Sequence, residues 1–207
     1  MAFTKEILNQ AQIKEEIFRI ARNSIESGLT FQRPLIPNEN QVSELLKEKG
    51  ASFVTLKIPY HGKKVLRGCI GSLEARFPLY ADIAENAFNA AFRDPRFPAL
   101  TKDEYLDIII SVSVLTQPKP MIVKNYDDLI KALRPMQDGL VLKEGVRKAT
   151  FLPAVWKELK DPELFVEALL KKGGWPPHYW SNAMQAFRYE AIELEDSDSR
   201  LNDVSLN

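Results

Sequence analysis

Residues 53–73 read FVTLKIPYHGKKVLRGCIGSL, and the hydrophobic period inside this stretch decides the fold. Val54, Leu56 and Ile58 alternate with Thr55 and Lys57, the two-residue period of a strand with one buried face. His61-Gly62-Lys63-Lys64 supplies turn residues, and Val65 to Leu73 runs on without a helix signal. The pattern predicts a hairpin whose second strand carries Cys69, the only cysteine in the chain.

Upstream the period is helical. Ile13, Ile17, Ile20, Ala21 and Ile25 recur at three- and four-residue spacing, which predicts an amphipathic helix over 4–27 closed by Gly28. After Pro34 and Pro37, Val42, Leu45 and Leu46 predict a shorter helix ending at Gly50. Downstream of the hairpin, Pro78 suits a first helical turn, and Leu79, Ile83, Ala87 and Ala90 form an apolar stripe that stops before Asp94-Pro95. Ile108 to Val114 alternates as a strand that Pro118 and Pro120 end. A helix near Asp127 to Leu133, strands near Gly139 to Leu142 and Val146 to Phe151, helices after Pro153 and Pro162, and one strand from Met184 to Glu195 complete the series. Helices and hairpins in this order, without βαβ alternation, specify an α+β fold with mainly antiparallel sheets. Two unequal subdomains are expected within 1–195: 51–120, carrying the hairpin, and 121–195, completed by the N-terminal helix 4–27. Residues 196–207 are polar and are expected to form a flexible tail.

Lys plus Arg and Asp plus Glu each number 28, so no excess of either sign advertises nucleic acid or an anionic membrane. No apolar run has the length of a membrane span or the form of a signal peptide, and a lone cysteine fits a reducing cytoplasm. One Cys and two separated His argue against a structural zinc site, and no metal set is expected. No glycine-rich phosphate loop or dinucleotide fingerprint is present, and no motif names a cofactor or an oligomeric state.

Leu66-Arg67-Gly68-Cys69-Ile70-Gly71 is the place where chemistry is expected. Strand alternation sets Arg67 and Cys69 on one face, where a guanidinium favours thiolate over thiol, and Gly68 and Gly71 leave room for a ligand or a second backbone. The bland alternative is a small buried hydrophobe between glycines that mark tight packing. His61, in the turn, and His178, between Pro177 and Tyr179, are the only imidazoles available as acid or base, and Glu74 and Glu85 are the carboxylate candidates. Arg96 and Phe97 belong to a proline-flanked turn whose meeting with Cys69 is a further expectation. Trp156, Trp175, Tyr179 and Trp180 are expected to cover a core and not to stack on bases.

Leu66 to Ala75, reading LRGCIGSLEA, resembles the signature of the AMMECR family. Glu85-Asn86-Ala87, Asp94-Pro95-Arg96-Phe97-Pro98-Ala99-Leu100, Asp138-Gly139-Leu140 and Phe151-Leu152-Pro153-Ala154-Val155-Trp156 extend the resemblance in order. It implies a cytoplasmic α+β protein of two unequal parts with its site around Leu66 to Gly71. It also implies association with Memo-like and radical S-adenosylmethionine proteins in a modification pathway, without the cysteine triad of a radical enzyme. Three functions are therefore weighed: an enzyme in which Cys69 attacks an electrophile beside Arg67; a non-catalytic adaptor or small-ligand binder in which Arg67 grips a carboxylate or phosphate; and, disfavoured by the charge balance, a nucleic-acid-binding regulator. Leu66, Gly68, Ile70, Gly71, Glu74 and Arg96 are the expected binding residues around that pair.

Overall fold

The computed structural model describes residues 3–196, so the expected flexible tail lies outside the described residues except for Asp196. The chain is α+β and divides into two compact units, one reaching Leu115 and regaining the chain from Ile192, the other spanning Thr116–Ala191. The elements of the first unit are α1 (Lys5–Leu8), α2 (Ala11–Phe31), α3 (Glu44–Lys47), β1 (Lys49–Gly50), β2 (Ser52–Tyr60), β3 (Lys63–Gly71), β4 (Phe77–Pro78), α4 (Leu79–Phe92), α5 (Lys102–Tyr105) and β5 (Ile109–Leu115). The second unit holds β6 (Lys119–Pro120), α6 (Tyr126–Ala132), β7 (Gly139–Glu144), β8 (Arg147–Phe151), a 3-10 turn (Pro153–Lys157), α7 (Pro162–Lys172) and β9 (Gln185–Tyr189). The last strand, β10 (Ala191–Glu195), joins the first unit's sheet.

That sheet has the order β10-β5-β2-β3, with β2 antiparallel to both neighbours and β3 at an edge. Val54 and Leu56 of β2 and Ile110, Val112 and Val114 of β5 are buried on one face, against Leu79, Ile83, Ala87 and Ala90 of α4. The predicted alternation thus becomes a sheet with a single core face, and α4 fits it because its small residues let the backbone approach. At Gly68 the approach is closest: a Cβ there would stand 2.1 Å from the carbonyl oxygen of Ala90.

The N-terminal helix departs from expectation in three respects. It is two helices broken at Asn9–Gln10, it continues through Gly28 to Phe31, and it packs in the first unit instead of completing the second. Gly28 is not a terminator; the ring of Phe92 occupies the space a Cβ would take, 2.1 Å away, and Gln32 closes the helix with φ 56°. Ile17, Ile20, Ala21 and Ile25 belong to the same core as α4, which explains the placement: the apolar stripe of α2 needs an apolar partner, and α4 offers Leu79, Ile83, Ala84, Ala87 and Ala91 to that core.

The expected single strand over Met184 to Glu195 is two strands in two different sheets, β9 and β10, separated at Glu190. Glu190 leaves the ladder because its amide donates to Thr116 Oγ1 (2.8 Å) while its carbonyl accepts from Thr116 N (2.9 Å). In the second unit the sheet order is β6-β9-β7-β8, again antiparallel. Trp156 is fully buried there, stacked on Phe165 at 3.9 Å with its indole N–H on the carbonyl of Asp138 (2.7 Å), and Trp175 is also buried. These two indoles cover a core, as expected.

Gly68→Ala tests the seam between β3 and α4. The clash is with main chain and has no flexible end to yield, so the substitution is expected to cost about 1–3 kcal/mol, read as a lower urea midpoint at unchanged slope.

Candidate functional site

The hairpin turn consists of His61 (φ 46°) and Gly62 (φ 74°), both left-handed, which matches the twist of the strands it joins. From the pair Tyr60↔Lys63 the register runs regularly to Lys57↔Leu66, and then the partner of Leu56 is Gly68. Arg67 is the extra residue of a β-bulge. Without it the register would set Gly68 opposite Thr55; with it, the residue opposite Thr55 is Cys69.

Cys69 therefore lies in a row across three strands, Cys69↔Thr55↔Ser111. Thr55 and Ser111 alternate with the core residues Val54, Leu56, Ile110 and Val112, so the row occupies the sheet face opposite α4. Thr55 Oγ1 donates to Cys69 Sγ at 3.3 Å, and the thiol is half-buried. The reading of Cys69 as a plain core hydrophobe does not describe this placement.

The main chain of Cys69 faces the open edge of the sheet and is satisfied by the Asp94-Pro95-Arg96 turn. Asp94 Oδ2 accepts from Cys69 N (2.8 Å), and Arg96 Nη2 donates to Cys69 O (3.3 Å). The two clamping side chains are themselves joined, Arg96 Nε to Asp94 Oδ1 (3.0 Å) and Arg96 Nη2 to Asp94 Oδ2 (2.7 Å). Asp94 is almost wholly enclosed, and the Arg96 guanidinium, with the amides of Cys69 and Arg96, holds its carboxyl far below the usual carboxylate range. The prolines on either side of Arg96 restrict this turn, which lets it brace the edge.

Arg67 is 4% exposed, and its guanidinium is forked on Glu104: Nε to Oε1 at 2.8 Å and Nη2 to Oε2 at 2.9 Å. The expected shared face of Arg67 and Cys69 is not found: the bulge sets Arg67 with Gly68 opposite Leu56, on the α4 side, so the cation at the main chain of Cys69 is Arg96, while Arg67 is committed to a carboxylate of its own. Glu104 Oε2 also accepts from Thr101 N (2.9 Å) and Thr101 Oγ1 (3.1 Å), completing a capping box on α5. Arg67 is the first cause of the low pKa of Glu104, brought down to about 2. The ring of Phe97 lies within cation–π range of both guanidiniums, 5.8 Å from Arg67 Cζ and 5.5 Å from Arg96 Cζ.

Of the other motif residues, Leu66 is exposed, Ile70 packs against the core, and Gly71 lies under the Phe53 ring, where a Cβ would come within 2.2 Å. Glu74, in the exposed turn after β3, pairs with Arg76 at 2.9 Å. His61 is at the hairpin tip, six strand positions from Cys69, or about 20 Å at the usual rise. It is no acid or base for this thiol. His178, with φ 55°, donates its amide to Glu167 Oε1 (2.9 Å) and packs edge-on against Tyr126. Among the described residues no three His, Cys, Asp or Glu side chains converge as a metal site, and no helix is long and apolar enough to cross a membrane.

Sequence reasoning missed Thr55, Asp94 and Glu104 as site residues. Thr101-Lys102-Asp103-Glu104 carries a legible capping-box signal, but nothing local ties Glu104 to a strand 37 residues away. Thr55 is out of reach of pattern reading because the bulge resets the register.

An α+β protein with a buttressed cysteine on an edge strand is the class these features define. The AMMECR1 family model matches residues 18–194, across both units. A protein of Saccharolobus islandicus is 35% identical over 189 residues, covering 90% of this chain and 82% of its own length. One from Methanocaldococcus jannaschii is 34% identical over 184 residues, covering 88% of this chain and 89% of its own. The crystal structure of an uncharacterised protein from Pyrococcus horikoshii is similar with a TM-score of 0.70 and 30% identity, over 89% of this chain and 91% of that one. The chain belongs to the AMMECR1 family.

The Arg67–Glu104 pair makes stability depend on acid. Glu104 has a folded pKa of about 2 against an ordinary 4.5, so its contribution is full above 4.5 and is lost as pH falls toward 2. Glu104→Gln is expected to lower the urea midpoint at pH 7, with the gap to the parent protein closing through that window; a constant gap would show that the carboxylate charge contributes nothing.

Proposed function

We propose that the protein works through the thiol of Cys69, as an enzyme or group carrier that takes a transferable group from an electrophilic donor. The observation that carries this reading is the hydrogen bond from Thr55 Oγ1 to Cys69 Sγ, on a sheet face away from the main core. A hydroxyl aimed at sulfur stabilises negative charge there. The clamp of Asp94 and Arg96 on the main chain of Cys69 fixes the position of the sulfur, as a reacting atom requires. In the reaction, the sulfur attacks an acyl or similar carbon and an S–C bond forms. The bond from that carbon to its leaving group breaks, and the leaving group departs with the electron pair and takes up the thiol proton. In the cytoplasmic modification pathway that the family resemblance implies, with Memo-like and radical S-adenosylmethionine proteins, the chain is a partner to the radical chemistry and not its source.

A second reading, a non-catalytic adaptor, is favoured by the exposed apolar side chains of Leu66, Leu73 and Phe77 on and just after β3. Iodoacetamide separates the two. Cys69 is expected to be alkylated in the folded protein faster than free cysteine at pH 7, and Thr55→Val to slow the reaction about twofold to fivefold, the size of one modest hydrogen bond. A thiol that stays unmodified until urea unfolds the chain would remove the first reading and leave the second.

A further inference from the structure

Arg96 is an exposed arginine that is nevertheless held in place. Its side chain is 54% exposed, while that of Asp94, its partner, is 2% exposed. Asp94 Oδ2 accepts from Cys69 N (2.8 Å) and Arg96 Nη2 (2.7 Å), and Oδ1 from Arg96 N (3.1 Å) and Arg96 Nε (3.0 Å). The carboxylate is thereby saturated, and it takes only the Nε/Nη2 edge of the guanidinium. Nη2 also donates to Cys69 O, and the Phe97 ring stands 5.5 Å from Cζ. No acceptor among the described residues engages Nη1, so a second planar edge, Nη1/Nη2, is left on a side chain open to solvent. This edge is beside the thiol. Nη2 is 3.3 Å from the carbonyl oxygen of Cys69, and the short bonded path from that oxygen to Sγ keeps the nitrogen within about 8 Å of the sulfur. The charge of Arg96 is favoured by Asp94 first and, more weakly, by Cys69.

Taking the reading of Cys69 as the working thiol as its basis, we infer that the open edge of the Arg96 guanidinium receives an oxyanion of the substrate, a carboxylate or a phosphate. The substrate class is then an electrophile with an oxyanion close to the carbon that Cys69 attacks. A planar guanidinium edge takes two oxygens of either group. A hydrogen bond of about 2.9 Å to Nη2 leaves about 5 Å to be bridged to the sulfur, which sets the oxyanion two or three bonds from the reacting carbon. Asp94 has a positioning role: it orients the guanidinium and ties the same unit to the amide of Cys69, so cation and sulfur keep a fixed separation. A loose surface arginine has to be ordered at each capture, whereas this one is ordered when the chain folds.

Two methanethiosulfonates of equal leaving group, 2-sulfonatoethyl and 2-hydroxyethyl, test this on the whole chain. Each forms a disulfide with Cys69: the S–S bond forms, methanesulfinate leaves with its electron pair, and the thiol proton goes to solvent. They differ in carrying an oxyanion or a neutral hydroxyl. The sulfonate-to-hydroxyl rate ratio at Cys69, divided by the same ratio for free cysteine, is expected to be about tenfold, the worth of one hydrogen bond to a charged group. Replacing brace and cation together, Asp94→Asn with Arg96→Gln, avoids stranding the enclosed carboxylate and should return the ratio to unity, with circular dichroism as the check of fold. Lys57→Met removes a cation two residues from Thr55 on β2 and should leave the ratio unchanged. A ratio of unity in the parent protein, one that the double substitution does not move, or one that Lys57→Met lowers equally overturns the inference. NMR of the Arg96 guanidinium during titration with acetate and, separately, with inorganic phosphate reads the capture without the thiol, and the larger shift says which oxyanion the site takes. Shifted Arg96 signals with an inert Cys69 keep the oxyanion site and remove the thiol reading, whereas signals that neither anion shifts, with a reactive Cys69, do the reverse.

Discussion

One residue inserted into a strand sets the geometry around the cysteine. Arg67 is the bulge in β3, and by occupying a place without a partner it moves everything after it by one position relative to β2. Side chains on a strand alternate faces, so a one-residue shift decides whether a given residue meets the core or its opposite face. The bulge is held by the forked ion pair to Glu104, which is in turn held by the cap of α5. The guanidinium is the enclosed member of the pair and Glu104 is partly open to solvent, so loss of Glu104 leaves a buried cation without its counter-charge.

The second constraint is the edge. A strand with one unpaired side presents amides and carbonyls that water, a ligand or another chain must satisfy. At Cys69 the Asp94-Pro95-Arg96 turn does so from within, using a carboxylate for the amide and a guanidinium for the carbonyl. The same turn brings Phe97 into reach of Arg67, so a single proline-restricted loop links the clamp on Cys69 to the environment of the bulge. Gly68 allows α4, whose end leads into that loop, to lie close enough for these contacts to form. Edge protection and site construction are therefore one structural feature.

The second unit shows the same dependence of function-like polar groups on packing. Glu144 accepts from the hydroxyl of Ser181, the indole of Trp175 (3.0 Å) and the hydroxyl of Tyr179 (3.0 Å), and these donors, Ser181 first, keep its carboxyl below its ordinary range. Two residues of the aromatic run expected to cover a core, Trp175 and Tyr179, are thus tied down by a carboxylate at the end of β7.

Much of this was legible in the sequence. The alternation in Phe53 to Tyr60, the turn residues His61-Gly62-Lys63-Lys64, the stripe of α4 and the α+β order of elements are local consequences of backbone sterics and of which residues avoid water. They do not depend on what folds against them. The six residues from Leu66 to Gly71 could likewise be picked out, because glycines beside a lone cysteine are a local signal. What the sequence could not determine was the bulge at Arg67, the partner of Arg67, the packing of α2 on α4 through Gly28, and the division of Met184 to Glu195 between two sheets. Each of these turns on a long-range competition: which carboxylate reaches a guanidinium first, which apolar stripe covers another, which ladder an amide joins. Local pattern names the residues with a preference, and only tertiary structure says which partner satisfies it, since burial makes one such choice costly to leave unmet.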